Sequence, residues 1–112
     1  ELKKHGRVVI DAVVKEPNKD VRIYLLISLS TALKLDTAAY VKELADLLSK
    51  EPEGEVRVVI VQELGGLGPA AVEALPALRS ATTDVQVAVR DAAKAAVKRI
   101  TTKPEPKNDP EP

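Results

Sequence analysis

The sequence contains no Cys, Met, Trp or Phe, and its only Tyr residues are Tyr24 and Tyr40. Without Cys the chain forms neither a disulfide nor a thiolate metal site. So few aromatic rings offer little surface on which nucleic-acid bases could stack. Basic and acidic residues number 17 each, so no net positive charge attracts phosphate. We therefore expect no nucleic-acid partner.

Long apolar runs are absent as well, whereas a membrane-spanning helix needs about 20 apolar residues. The N-terminal segment ELKKHGR also lacks the apolar centre of a signal peptide. We expect a soluble protein without membrane insertion. The chain starts at Glu1 and contains no Met, which we interpret as trimming, either by a signal peptidase or during preparation of the protein. Export of a mature form is therefore one of two expectations.

Residues that carry catalytic or metal chemistry are scarce. His5 is the single His, and one His without Cys or clustered carboxylates does not complete a zinc site. No Ser has a His base predicted beside it, as a Ser nucleophile requires. The segment GGLGP at 65–69 lacks the Lys that follows the glycines of a phosphate-binding loop. We expect a protein that is not an enzyme and that binds no cofactor or metal.

A repeated peptide is the main positive signal. The chain has KEPNKDVR at 15–22 and KEPEGEVR at 50–57, so that Arg22 and Arg57 are 35 residues apart. Arg90 follows Arg57 after 33 residues, again directly behind a Val. A period of this length is typical of stacked helical repeats. The sequence therefore predicts three repeat units.

Each unit is predicted to contain two helices joined by a turn. Pro17 and Pro52 end the preceding helices, because Pro disfavours helical backbone in the residue before it and cannot donate inside a helix. Asp20 and Glu55 begin the following helices, where a carboxylate meets free N–H groups. Thr37 is predicted as another N-cap. The predicted helices are 3–16, 20–34, 37–50, 55–67, 70–81 and 84–101.

These helices predict an all-α superhelix of about three antiparallel pairs, 3–34, 37–67 and 70–101, within one domain of residues 1–101. Residues 7–14 and 57–64 are rich in β-branched side chains and would also suit strands. Their apolar positions, however, continue at steps of three and four residues beyond ordinary strand length, which favours helix. Segment 23–29 is apolar nearly all round and is predicted to be the most buried stretch.

Several segments resemble the bacterial HEAT-like repeats that include the phycobilisome-lyase type. They are the helix starts of the form Asp/Glu-Val-Arg, LGGLGPAAVEALPAL at 64–78 and TTDVQVAVRDAAKAAVKRI at 82–100. The resemblance covers about residues 5–101 and implies a HEAT-like solenoid. It also implies a ladder of acidic and basic residues that links adjacent repeats. The matching positions are Asp20, Arg22, Glu55, Arg57, Asp84 and Arg90, and one departure is that Asp84 precedes Arg90 by six residues rather than two.

The predicted function is a non-enzymatic scaffold or an assembly subunit of a larger complex, with a protein as its partner. An accessory factor of an enzyme system, lyase-like or chaperone-like, is the alternative. A bilin lyase would need a chromophore cavity, which few aromatic residues could line, and the regular spacing of the arginines favours a structural row over an anion site.

Two surfaces are candidates for binding the partner. The resemblance implies that helices 3–16, 37–50 and 70–81 line the concave side. The register places a stripe of mixed charge there, which is either a protein-binding surface or simply solvated: Arg7, Asp11, Lys42, Asp46, Glu73 and Arg79. The other candidate is an apolar flank on the first helix, formed by Val8, Val9 and Val13, which would be covered by missing residues or by self-association through that helix.

The C-terminal residues 102–112 are rich in Pro and have no apolar anchor. Such a composition predicts a disordered tail. A peptide docking motif within the tail is the alternative that the sequence leaves open.

Overall fold

Helices account for most of the chain in the computed structural model, which describes the backbone of residues 2–32 and 39–102 and the side chains of residues 7–29 and 39–102. No strand occurs within these ranges, and the all-α prediction is confirmed. The elements in chain order are α1 (Leu2–Lys15), α2 (Lys19–Ala32), α3 (Val41–Lys50), α4 (Gly54–Gly66), a 3-10 helix (Gly68–Ala74), α5 (Leu75–Ala81) and α6 (Val87–Thr101).

Helix α4 lies at the centre of the array. It packs against α3 within its own repeat, against α2 of the preceding repeat and against α6 of the following one. Neighbours on several sides require an apolar surface over much of the helix. The buried residues of α4 accordingly point in several directions: Val56, Ile60, Val61, Leu64 and Gly65.

Gly65 sets the distance between α4 and α6. A Cβ atom at this position would lie 3.0 Å from the Cβ of Ala96 and 3.2 Å from its Cα. A larger residue at this point would require Ala96 or one of the two helices to shift slightly. Gly66, the next residue, has no such neighbour within 4 Å.

The burial of α2 differs from the prediction for segment 23–29. Leu26 and Leu29 are buried, but Tyr24 is 70% exposed and Ile27 is 47% exposed. The reason is that α2 belongs to the first repeat and has the next repeat on one side only among the described residues. The prediction that this is the most buried stretch is wrong, and α4 holds that place instead.

The third repeat departs from its predicted boundaries in two places. The predicted helix 70–81 is divided into the 3-10 helix and α5, with non-helical backbone at Ala71 (φ −98°, ψ 21°). Pro76 near the start of α5 explains the division, because it has no N–H to continue the preceding helix. Helix α6 begins at Val87 rather than at 84, since the Asp84 side chain accepts the N–H of Gln86 at 2.9 Å and holds these residues in a turn.

Some predictions fall outside the described residues. They are the end of the helix predicted at 20–34, the N-cap at Thr37, the side chain of His5 and the tail from residue 103 onward. No helix among the described ranges has the length and the apolar character that crossing a membrane would require.

Candidate functional site

Arginine side chains connect the turns of successive repeats. Arg22, in the first turn of α2, donates through Nη1 to the carbonyl oxygens of Glu16 and Pro17 at 2.9 and 3.0 Å. Its Nε and Nη2 donate to the two carboxylate oxygens of Glu51 at 3.1 and 2.6 Å. This guanidinium therefore stabilises the turn before its own helix and also binds the carboxylate in the turn of the next repeat. The contact with the carboxylate has the bidentate geometry that Arg favours.

The second step of this ladder repeats the first. Nη1 of Arg57 donates to the carbonyl oxygens of Glu51 and Pro52, both at 3.0 Å. Its Nε and Nη2 donate to the carboxylate of Asp84 at 2.8 and 2.9 Å. Arg90 starts a third step, because its Nη1 donates to the carbonyl oxygen of Asp84 at 2.8 Å.

The acidic members of the ladder differ from the sequence prediction. Arg22 contacts Glu51, and neither Asp20 nor Glu55 takes part. Glu55 instead pairs with Lys19 at 2.6 Å on the surface, and Asp20 is exposed. Both lie in the first turn of a helix, beyond the inter-helix turn that the arginine faces.

A signal for the correct carboxylates was present in the sequence. Each ladder arginine follows an acidic residue by six positions: Glu16 and Arg22, Glu51 and Arg57, Asp84 and Arg90. The six-residue spacing between Asp84 and Arg90 is therefore common to all three turns. The prediction was wrong because it used the acidic residues two positions before Arg22 and Arg57. The arginines themselves lie where the repeat alignment places them.

The ladder changes the acidity of Asp84. The hydrogen bond from Arg57 is the main cause that lowers the pKa of this carboxyl below its ordinary value. Burial acts in the opposite direction, while the N–H of Gln86 and the charges of Arg57 and Arg90 lower the pKa further. Asp84 is consequently ionised wherever an ordinary Asp would be, and at lower pH as well.

An open groove lies between α1 and α3, and Arg22 of α2 also lines it. Its volume is about 520 Å³. The salt bridge between Arg7 and Glu43, at 2.7 Å, closes one end, and the ladder contact between Arg22 and Glu51 closes the other. The groove has apolar side chains from both helices, among them Ile10, Val14 and Leu47. A smaller groove of about 280 Å³ follows between α3 and α5.

The structure brings half of the predicted partner-binding residues together in this groove. Arg7, Asp11 and Asp46 line it. Arg7 pairs with Glu43 rather than with Asp11, and its guanidinium lies 5.9 Å from the ring centre of Tyr40. Among the described side chains, Asp11 and Asp46 form no ion pair. The other three are exposed outside the two grooves: Lys42, Glu73 and Arg79.

The apolar flank predicted on the first helix is smaller than expected. Val8 is 65% exposed, but Val9 is partly buried and Val13 lies in the core. Val13 follows Ile10 by three residues and shares its buried face. Val13 therefore does not belong to an exposed flank on α1.

Stacked pairs of antiparallel helices, joined turn to turn by an arginine ladder, define an α-solenoid built from tandem repeats. A family model for HEAT repeats matches residues 7–98, and the chain belongs to the HEAT-repeat family. The searches of curated proteins and of solved structures found no match. Among the described side chains, those of residues 7–29 and 39–102, no group of three or more from His, Cys, Asp and Glu is arranged to hold a metal ion.

Proposed function

We propose that this protein is a non-enzymatic interaction module that binds a segment of a partner protein in the groove between α1 and α3. HEAT repeats generally mediate protein–protein interaction. The observation that supports this site is the open groove itself, whose two ends are fixed by Arg7–Glu43 and Arg22–Glu51. These contacts join the two sides of the groove in the unbound protein, the nearly buried Arg22–Glu51 pair more firmly than the exposed Arg7–Glu43 pair. The groove therefore exists before a segment binds, and little reorganisation is needed on binding.

The side chains of the groove indicate the chemistry of the segment. Apolar side chains such as Val14, which is 65% exposed, offer surface that a partner would bury. Asp11 and Asp46, which form no ion pair with any described residue, present negative charge beside that surface. A segment that carries apolar side chains next to Lys or Arg is complementary to this arrangement. Such a partner fits a scaffold or an assembly subunit.

Selection of peptides from a random display library on the full chain tests the site. We expect the selected peptides to be enriched in Lys or Arg next to apolar residues. The double variant Asp11→Lys with Asp46→Lys should weaken their binding by about tenfold or more, because it places positive charge against positive charge. Fluorescence anisotropy with labelled peptides measures the affinity.

Lys42→Glu is the matched control, since Lys42 is exposed on α3 but lies outside the groove. It should leave the affinity unchanged. Peptides that bind the double variant as tightly as the wild type would place the binding site elsewhere on the protein.

Narrower membership in the bacterial phycobilisome-lyase type remains a hypothesis, based on segments 64–78 and 82–100.

A further inference from the structure

The last arginine of the ladder has only half of its contacts. Arg22 and Arg57 each use Nη1 within their own turn and use Nε with Nη2 for the carboxylate of the next turn. Arg90 makes the first contact, to the carbonyl oxygen of Asp84. Its Nε and Nη2 donate to no residue that the structure describes. Among the described residues, a half-buried guanidinium is therefore left with a carboxylate-binding fork unused.

The opposite end of the array has the complementary group. Glu16 is the first of the three acidic residues that precede a ladder arginine by six positions. Its Oε2 accepts the N–H of Asn18 at 3.1 Å, just as Oε2 of Glu51 accepts the N–H of Glu53 at 3.1 Å. No arginine contacts the Glu16 carboxylate within the described part of the chain. Glu16 thus occupies a ladder position to which no described residue supplies a guanidinium.

The surfaces around these two groups are also complementary. Lys94 and Lys98 of α6 are exposed, whereas the residues 33 positions earlier, Val61 and Gly65, are buried. Together with Arg90 they follow at steps of four and form a basic stripe on one helix face.

At the other end, Glu16 and the exposed Asp20 supply negative charge. Beside them Val21 is 40% exposed, although Val56, its equivalent in the second repeat, is fully buried. Helix α2 of the preceding repeat packs against α4, whereas the described residues leave Val21 partly exposed. The N-terminal end therefore offers acidic groups and uncovered apolar surface to a basic helix face.

We propose that copies of this chain associate head to tail. In this contact, Nε and Nη2 of Arg90 in one copy donate hydrogen bonds to the Glu16 carboxylate of the next copy. The contact would continue the internal ladder by one step, in the same geometry as Arg22–Glu51 and Arg57–Asp84. Because the two contacting surfaces differ, the association is heterologous and yields rings or open chains of copies. Glu16 also lines the groove between α1 and α3. Self-association is measured without any peptide, so failure of this proposal and failure of the proposed function can be told apart.

Reciprocal charge variants of the full chain test the contact. Arg90→Glu alone places Glu against Glu16, and Glu16→Arg alone places Arg against Arg90, so each should weaken self-association by about tenfold or more. An equimolar mixture of the two variants restores opposite charges at every contact and should recover association. Sedimentation velocity over a range of concentrations measures the mass of the species, and circular dichroism establishes that each variant is folded.

Lys42→Glu and Glu53→Arg serve as controls with comparable charge changes on exposed residues of the second repeat, and they should associate like the wild type. A wild-type chain that does not self-associate would overturn the proposal. So would a mixture that fails to recover association. A third outcome would also contradict the proposal: self-association increases when residues 103–112 are deleted, and Glu16→Arg has no effect on it. A carboxylate among residues 103–112 would then be the group that binds the Arg90 guanidinium in place of Glu16.

An engineered disulfide tests the register without disturbing the ladder charges. A Cβ atom at Gly54 would lie 2.8 Å from Cγ of Gln86 in the next turn. The equivalent positions across two copies are Val87 and Asn18. The chain has no Cys, so the double variant Asn18→Cys with Val87→Cys holds only these two thiols.

The two positions of one chain are two repeats apart, roughly 16–20 Å at the usual spacing of packed helices, which is too far for an intramolecular disulfide. Mild oxidation should therefore give a series of covalent multimers on a non-reducing gel. Each single variant should stop at a dimer. If the double variant also stops at a dimer or stays monomeric, the head-to-tail register is wrong.

Discussion

Single residues decide which carboxylates hold the repeats together. Glu51 and Glu55 are four residues apart and both pair with a cation, but the side chain of Glu51 is only 6% exposed and that of Glu55 is 65% exposed. Exposed ion pairs contribute little to stability because water and salt screen them. A nearly buried carboxylate that accepts two hydrogen bonds from Arg22 is costly to replace.

We therefore expect Glu51→Gln to lower the free energy of unfolding by about 1–3 kcal/mol. Glu55→Gln, the matched control, should leave it unchanged within experimental error. Urea unfolding followed by circular dichroism measures both values. Equal losses in the two variants would show that the ladder is no more important to stability than a surface pair.

Of the residues that form the ladder, the arginines could be predicted from the sequence, whereas the carboxylate partner of Arg22 could not. The three arginines could be found because a Val-Arg pair recurs at a nearly constant period. Their carboxylates were assigned wrongly because an acidic residue in the first turn of a helix, such as Asp20, already has a local reason to be there. Glu51 lies next to Pro52 and has no such local explanation. Its role depends on a contact between repeats, which the local sequence pattern does not specify.

At the level of helices, their number and order could be predicted from the Pro positions and the apolar periodicity. The burial of each helix could not be predicted in the same way, because it depends on how many other helices pack against it. Helix α2 and helix α4 both have largely apolar sequences, yet Tyr24 is exposed while the equivalent Val59 is partly buried. The division between the 3-10 helix and α5 was missed as well, although Pro76 provided a local reason for it.

Close packing between α4 and α6 gives a prediction at this level. Gly65→Ala would place a methyl group 3.0 Å from the Cβ of Ala96, and overpacking of this kind costs about 1–3 kcal/mol. Gly66→Ala meets no atom within 4 Å and should be neutral or stabilise by up to about 1 kcal/mol, since Ala favours helix over Gly. Thermal unfolding of the two variants measures the difference, and a neutral Gly65→Ala would mean that the two helices can move apart at no cost.

The whole array depends on contacts between repeats, because a single helix pair does not bury its apolar face alone. Two kinds of contact join the repeats here. Apolar side chains pack between α2, α4 and α6, and the ladder joins the turns. The apolar contacts do not titrate, whereas the ladder contains carboxylates, so a change of pH separates the two contributions.

Acidification should therefore weaken the connection between the second and third repeats through Asp84. Its pKa is lower in the folded protein than in the unfolded chain, chiefly because Arg57 donates hydrogen bonds to the carboxylate. The stabilising contribution is complete at pH values above the unfolded pKa of about 4 and is lost as the pH falls through the lower folded pKa.

Asp84→Asn cannot take up this proton and isolates the effect. The stability advantage of the wild type over this variant should be constant between about pH 6 and 8 and should shrink below about pH 4. Urea unfolding at each pH gives the difference, in which titrations elsewhere in the protein largely cancel. An advantage that stays the same at pH 3 would mean that the carboxylate of Asp84 stabilises the array no better ionised than protonated, and that apolar packing alone joins the second repeat to the third.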